Sequence, residues 1–400
     1  MNKIINCTLL GGSNSVLKFG LGSGLESVCH VKRLALGATT CIQNLYEAVR
    51  NRDLIKNSDF VVTESNVNDS HFACMQPLSI HVLESEINEY YRILSELNRN
   101  VYVVILPANF RARHIESQSV MDAINNIHYS NCLTYGFKVI DLSWIARELP
   151  EADIYNLIPH PRHLNEGYLH FLGQNIAKHA LLHPCTLKPT QNSGPNYSFI
   201  SSTELDKDCC IEKKNSAFNE QILPLNRSYT LPEWATGKEI VALSAWCDSY
   251  SQFRITTESV TTTKCFSKLY SVWEFATPIK ISATTTIETA LDNPPPTDIS
   301  RMSKYNAAAN CVPFGFSGLL VRDGAPNQRP HEEHVKSQID ISSEVTPDIR
   351  PYIKACHSLI ENRYLYTQTD IDKLKNEIEK LELKLAATQQ NHTQDPLCLP

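Results

Sequence analysis

Hydrophobic positions follow two different rhythms along this chain, and the change of rhythm divides it. Over the first 185 residues, apolar runs of strand length at 4–10, 59–63, 101–106 and 137–142 alternate with segments of helical spacing. Between Pro77 and Asn100, the residues Ile80, Leu83, Ile87, Tyr91, Leu94 and Leu97 recur at steps of three and four, which places them on one helix face. Tyr168, Phe171, Leu172, Ile176, Ala180 and Leu181 repeat that spacing and predict the helix that closes the region. Strands alternating with helices predict an α/β domain over 1–185, with a parallel sheet covered on both faces.

From 186 to 221 the texture changes. Pro, Ser, Asn and a charged stretch at 204–214 predict a linker or surface loops. Strand-like segments follow at 239–246, 252–257, 264–273 and 278–286, rich in Thr, Val, Ile and aromatics and without helical period. They predict a β-sandwich-like domain over 222–345. Asn293-Pro294-Pro295-Pro296 reads as a rigid loop, and 323–330 as a turn-rich connection. The tail, 346–400, returns to helix: Ile371, Leu374, Ile378, Leu381 and Leu385 step 3-4-3-4, as in a short coiled coil. The seam runs for about two heptads, so a homodimer through 371–385 and a helix packed on its own chain both fit.

Composition narrows the function classes. The chain is 42% hydrophobic and 20% charged, with 14 Gly and 21 Pro, which suits a globular protein. The formal net charge of −6 provides no basic field for a phosphate backbone, so nucleic acid is not an expected partner. No apolar run of about 18 residues predicts a membrane span. The first ten residues resemble a short signal peptide, but Asn6 and Thr8 interrupt them and no small-residue cleavage site follows, so a buried first strand is expected. Thirteen cysteines without a C-x-x-C pair suit reduced thiols and a cytoplasmic location. The adjacent Cys209 and Cys210 read as a redox pair or as two ordinary thiols.

Three polar clusters lie where chemistry is expected, just past strands or before a helix. The first strand runs into Gly11-Gly12-Ser13-Asn14-Ser15, where two glycines permit a tight turn and a serine sits at the carboxyl end of a parallel strand. The second strand-like run leads into Glu64-Ser65-Asn66-Val67-Asn68-Asp69. His160-Pro161-Arg162-His163-Leu164-Asn165-Glu166-Gly167 precedes the closing helix. His160 and His163 lack a third ligand at a zinc-like interval, so neither metal nor cofactor is expected. His331-Glu332-Glu333-His334 reads as a metal motif or a solvated loop. Trp234, Trp246, Trp273, Tyr250 and Tyr270 read as a sugar-stacking platform or as core aromatics.

Taken in order, the clusters resemble the SGNH (GDSL-like) hydrolase family. Gly11-Gly12-Ser13-Asn14-Ser15 is similar to its G-D-S-x-S block with Gly12 in place of Asp. Leu34-Ala35-Leu36-Gly37-Ala38-Thr39-Thr40 resembles the second block. Asn66-Val67-Asn68-Asp69 matches G-x-N-D with Asn66 in place of Gly, and His160-Pro161-Arg162-His163 matches D-x-x-H with His160 in place of Asp. The resemblance covers about 1–185 and implies a three-layer flavodoxin-like domain. It implies Ser13 as nucleophile and His163 as general base, with an oxyanion hole from the N–H groups of Ser13 and Gly37 and the Asn68 amide. Asp69 would support the Asn68 loop. With His160 at the acid position, Asp153 or a backbone carbonyl would orient the imidazole.

The implied activity is a serine esterase that removes O-acyl groups, most simply O-acetyl, from a carbohydrate. The same residues would serve an O-acetyltransferase of surface-polysaccharide synthesis acting on a nucleotide- or lipid-linked glycan. A catalytically silent glycan-binding or scaffold protein is the reading from another class, supported by the replaced Asp and Gly positions.

Overall fold

Five short strands form the first sheet: β1 (Asn6–Gly11), β2 (His30–Arg33), β3 (Phe60–Glu64), β4 (Val101–Ile105) and β5 (Lys138–Asp141). All pairs are parallel, in the order β2-β1-β3-β4-β5. β3 and β4 are buried along their whole length, as continuous β-branched runs require when both faces are covered. β2 was not expected from the sequence; His-Val-Lys-Arg is a half-exposed edge strand with little apolar signal. The computed structural model describes residues 5–75, 78–108, 118–150, 153, 158, 162–185, 187, 189, 194–215, 217–267, 270–300, 303–326 and 339–354.

The helices of this region are α1 (Ser13–Val16), α2 (Leu21–Glu26), α3 (Cys41–Arg50), α4 (Arg52–Lys56), α5 (Asn66–Met75), α6 (Ile80–Leu97), α7 (Gln118–Tyr135), α8 (Ile145–Glu148) and α9 (Glu166–Leu182). Residues of α3, α6 and α7 share one core with Val61, Val101, Val103 and Val139 of the sheet. On the other face α2 crosses α9 at close range. A Cβ at Gly24 would lie 1.9 Å from the His170 carbonyl oxygen, so only glycine permits that approach. The strand order reverses at β1, which opens a crevice beyond the carboxyl ends of β1 and β3, the place where such sheets bind ligands.

The segment expected as a linker is instead structured: β6 (Tyr197–Ser201), α10 (Ser202–Asp206), β7 (Ile211–Lys214) and β8 (Asn219–Pro224) fall inside it. Ser201 and Glu204 form a capping box that starts α10, which explains the charged stretch. The remaining strands are β9 (Tyr229–Thr230), β10 (Glu239–Trp246), β11 (Ser251–Thr256), β12 (Thr261–Phe266), β13 (Tyr270–Lys280), β14 (Thr286–Thr289) and β15 (Gly315–Arg322). They make two antiparallel sheets, β13-β10-β15-β8-β7 with β6 added on β15, and β12-β11-β14-β9. Ile240, Leu243 and Phe275 of one meet Phe253, Ile255 and Ile287 of the other in a common core.

The expected strand 264–273 divides in two. The run ends at Ser267, whose N–H and hydroxyl are both taken by Ser303. The expected strand 278–286 also divides, because 278–280 finish β13 across a bulge opposite Ile240 and Ala242, where Pro278 owes the ladder no donor. Trp246 and Trp273 are 5% and 4% exposed and Tyr270 is buried, so these aromatics are core rather than a sugar platform. Trp234 alone of these is largely exposed, under the Lys238 ammonium.

The outer face of the larger sheet lies on α3. Tyr46 and Phe199 meet edge to face at 5.2 Å, and Arg50 pairs with Glu220 at 2.7 Å. The chain then returns to the first sheet. Ile339–Ile341 exchanges backbone hydrogen bonds with Val139, and α11 (Ser342–Val345) packs on α9 and β5. Residues 339–345 thus belong with the parallel sheet and not with the β region to which they were assigned from sequence. Met1–Pro347 is one compact unit and Asp348–Pro400 another. The seam at 371–385 and the His331–His334 motif lie outside the described residues. Among the described residues no helix is long and apolar enough to cross a membrane.

Candidate active site

Ser13 opens α1 two residues after the end of β1, and its Oγ lies 2.8 Å from Nε2 of His163. Folding brings this pair together across 150 residues. Three local contacts fix the imidazole's place. Leu164 is buried, Asn165 caps α9 by accepting from the Tyr168 N–H at 3.2 Å, and Asn14 spans the histidine itself. The Asn14 amide donates to the Arg162 carbonyl at 2.9 Å while its oxygen accepts from the Leu164 N–H at 3.1 Å. His163 therefore stands against Ser13; His160 lies outside the described residues. Asp153 is half-buried, with its N–H donating to the Pro150 carbonyl at 3.0 Å.

Two further loops reach the same point. Gly37 lies beside the turn at Ser13, and a Cβ there would sit 3.7 Å from the Ser13 Cβ. The next residue, Ala38, holds φ at 59°, a left-handed conformation that costs a non-glycine residue on the order of 1 kcal/mol and keeps the loop turned in. From the other side, Asn68 on α5 brings its side-chain amide to the turn: a Cβ at Gly12 would be 2.5 Å from Nδ2 of Asn68. Ser13, Gly12, Gly37, Asn68 and His163 thus converge, while Asp69 stands behind them.

Asp69 is fully buried. One carboxyl oxygen accepts from the Cys41 N–H at the start of α3 at 2.8 Å, and the other meets Nε2 of His128 at 3.1 Å. His128 continues to the Tyr91 hydroxyl at 2.9 Å. Asn66, standing where the motif has Gly, pairs with both backbone groups of Leu106 and with Asn125. These bonds tie α5 to α3, α7 and the end of β4, so the Asn68 loop is braced on three sides.

Sequence reasoning missed Asn14 and Glu64. Glu64 ends β3 and is 2% exposed. Its Oε1 accepts from the Gly12 N–H at 2.8 Å, the Ser15 N–H at 3.1 Å and the Ser15 hydroxyl at 2.8 Å. Burial raises its pKa to about 7, against the pull of those donors, and the Asp69 charge raises it further. An acid closing a strand of otherwise buried residues, Phe60-Val61-Val62-Thr63, was the available signal.

Among the described residues, one group of side chains has metal-ligand spacing: His179, His183 and Glu344, with donor atoms within 4.8 Å of one another. It lies at the far end of α9 from His163. His179 donates or accepts at Tyr102 and Glu344, at 3.0 and 3.2 Å. The Lys138 ammonium bonds the Tyr102 hydroxyl and the His183 carbonyl, and a cation already in place opposes a second, divalent one.

No protein-family model and no curated protein matches the chain. Several solved structures are similar to it over the N-terminal half. A lipase/acylhydrolase from Enterococcus faecalis aligns with 47% of this chain and 100% of its own, at 17% identity and a TM-score of 0.37. The acetyl xylan esterase AlAXEase covers 44% and 98%, at 18% identity and 0.35. The acetylxylan esterase Axe2 from Geobacillus stearothermophilus covers 47% and 96%, at 12% identity and 0.33.

Proposed function

We propose that the protein is a serine ester hydrolase acting on O-acyl, most simply O-acetyl, groups of a carbohydrate. The observation that carries this is the 2.8 Å approach of Ser13 Oγ to His163 Nε2 at the carboxyl edge of a parallel sheet, with Gly37 and the Asn68 amide beside it. Ser13 attacks the ester carbonyl as its proton passes to Nε2. The carbonyl oxygen becomes an oxyanion facing the N–H groups of Ser13 and Gly37 and the Asn68 amide. Collapse breaks the bond to the alcohol oxygen, which takes the proton from His163 and leaves an acyl-Ser13. Water then repeats the sequence and releases the acid. Asp153 is the carboxylate proposed to orient the imidazole.

The carbohydrate alcohol rests on the resemblance of the four sequence blocks. Turnover of p-nitrophenyl acetate by the full chain, abolished in Ser13→Ala and His163→Ala, is the expected result. Equal rates in all three, or none in the wild type together with no labelling of Ser13 by a fluorophosphonate, would overturn the reading. An acylated sugar formed when an acceptor sugar is added would make the protein a transferase through the same acyl-enzyme. That product would also retire the hydrolytic reading.

A further inference from the structure

We propose that Glu64 is the positioning residue of the nucleophile turn, its single oxygen Oε1 fixing the backbone on both sides of Ser13. The inference deepens the hydrolase reading and rests on Ser13 as nucleophile. The three donors to that oxygen bracket Ser13, one residue before it and one two residues after. The amides of Gly12 and Ser15 are thereby occupied. Among the described residues no acceptor meets the Ser13 N–H, so that donor stays open to an oxyanion.

Two features make the arrangement specific. Glu64 pairs with Gly11 in the sheet and its carbonyl accepts from Asn44 at 3.3 Å, so backbone contacts fix where its side chain leaves β3. At Gly12, the space a side chain would take faces Asn68 Nδ2 at 2.5 Å and Glu64 Oε2 at 3.5 Å. An acid in the motif's usual place would enter occupied space; here the carboxyl group comes to the same turn from the next strand. Burial disfavours its charge, yet ionised or neutral it offers Oε1 as an acceptor. The group is held there for its acceptor geometry.

Glutamine reproduces that acceptor, whereas alanine and the volume-matched methionine do not. Glu64→Ala and Glu64→Met are expected to lose roughly 30- to 100-fold in kcat on p-nitrophenyl acetate with KM changed less than about threefold, since a misplacement near 1 Å costs about that much. Glu64→Gln should recover most of the loss. Amide hydrogen exchange over 12–16 should quicken in the Ala and Met variants and not in Gln. An Ala or Met variant within about threefold of wild-type kcat, or a Gln variant as impaired as Ala, overturns the proposal. If wild type itself neither turns over ester nor labels at Ser13, the hydrolase reading fails, and exchange alone then judges Glu64. Equal exchange in all four proteins refutes the positioning role.

Discussion

Asn14 holds His163 by the backbone on both flanks, accepting from Leu164 and donating to the carbonyl of Arg162. The residue that follows Ser13 thus sets its distance to His163. Asn14→Ala should cut kcat by roughly 10- to 100-fold and leave KM nearly unchanged, because the loss falls on reactive geometry. Stability should fall by about 1–3 kcal/mol, as two buried backbone groups lose their partner. Steady-state kinetics beside urea unfolding would check both; a larger stability loss with kcat intact would contradict it.

With Asn68 in the oxyanion role proposed for it, Asn68→Ala should lower kcat by about 10²–10³-fold. Gly12→Ala tests the same amide indirectly. The new methyl would displace Asn68 Nδ2, which now lies 2.5 Å from that position, and kcat should fall without loss of fold. Circular dichroism with kinetics separates the two effects, and wild-type activity in Gly12→Ala would argue against a catalytic Asn68.

Two buried acids make stability depend on pH. Burial lifts Glu47 and Glu64 each to about 7 in the fold, against about 4.3 in an unfolded chain. The unfolded chain therefore loses these protons first. Their favourable contribution is complete below about 4.3 and disappears as pH rises through 7, by up to roughly 4 kcal/mol for each group. Melting temperature should decline between pH 5 and 8.5, and the decline should flatten in Glu47→Gln and Glu64→Gln. A profile unchanged by both substitutions would refute the raised values.

Asp69→Ala should destabilise by roughly 3 kcal/mol, because the Cys41 N–H and His128 both lose a buried acceptor. Asp69→Asn keeps one acceptor and should recover part of that. Denaturant midpoints are the measure. Activity should follow stability here, since Asp69 stands behind the Asn68 loop and bonds Cys41 and His128, not Ser13.

What the sequence made legible follows from how local each signal is. β1, β3, β4 and β5 were visible because central parallel strands are apolar throughout. β2 was not, since an edge strand needs no such run. β6 to β8 passed for a linker because they are only four to six residues long and carry Ser, Asn, Glu and Lys among their apolar positions. Ser13, Gly37, Asn68 and His163 were marked by short blocks at strand ends. Glu64 and Asn14 act through partners 52 and 148 residues away, and such pairing leaves no trace in spacing.

The Ser342 hydroxyl oxygen accepts from the Asp141 N–H at 2.8 Å, joining positions 201 residues apart. The outer rim of the parallel sheet is therefore completed by chain made long after the rim itself. During synthesis β5 waits with an open flank while the whole β region emerges, an invitation to mispairing that slow, non-local topologies carry. A gene truncated near codon 185 would encode every catalytic group named here yet leave that flank bare. Its product should collect in inclusion bodies, whereas one extended to 347 should not.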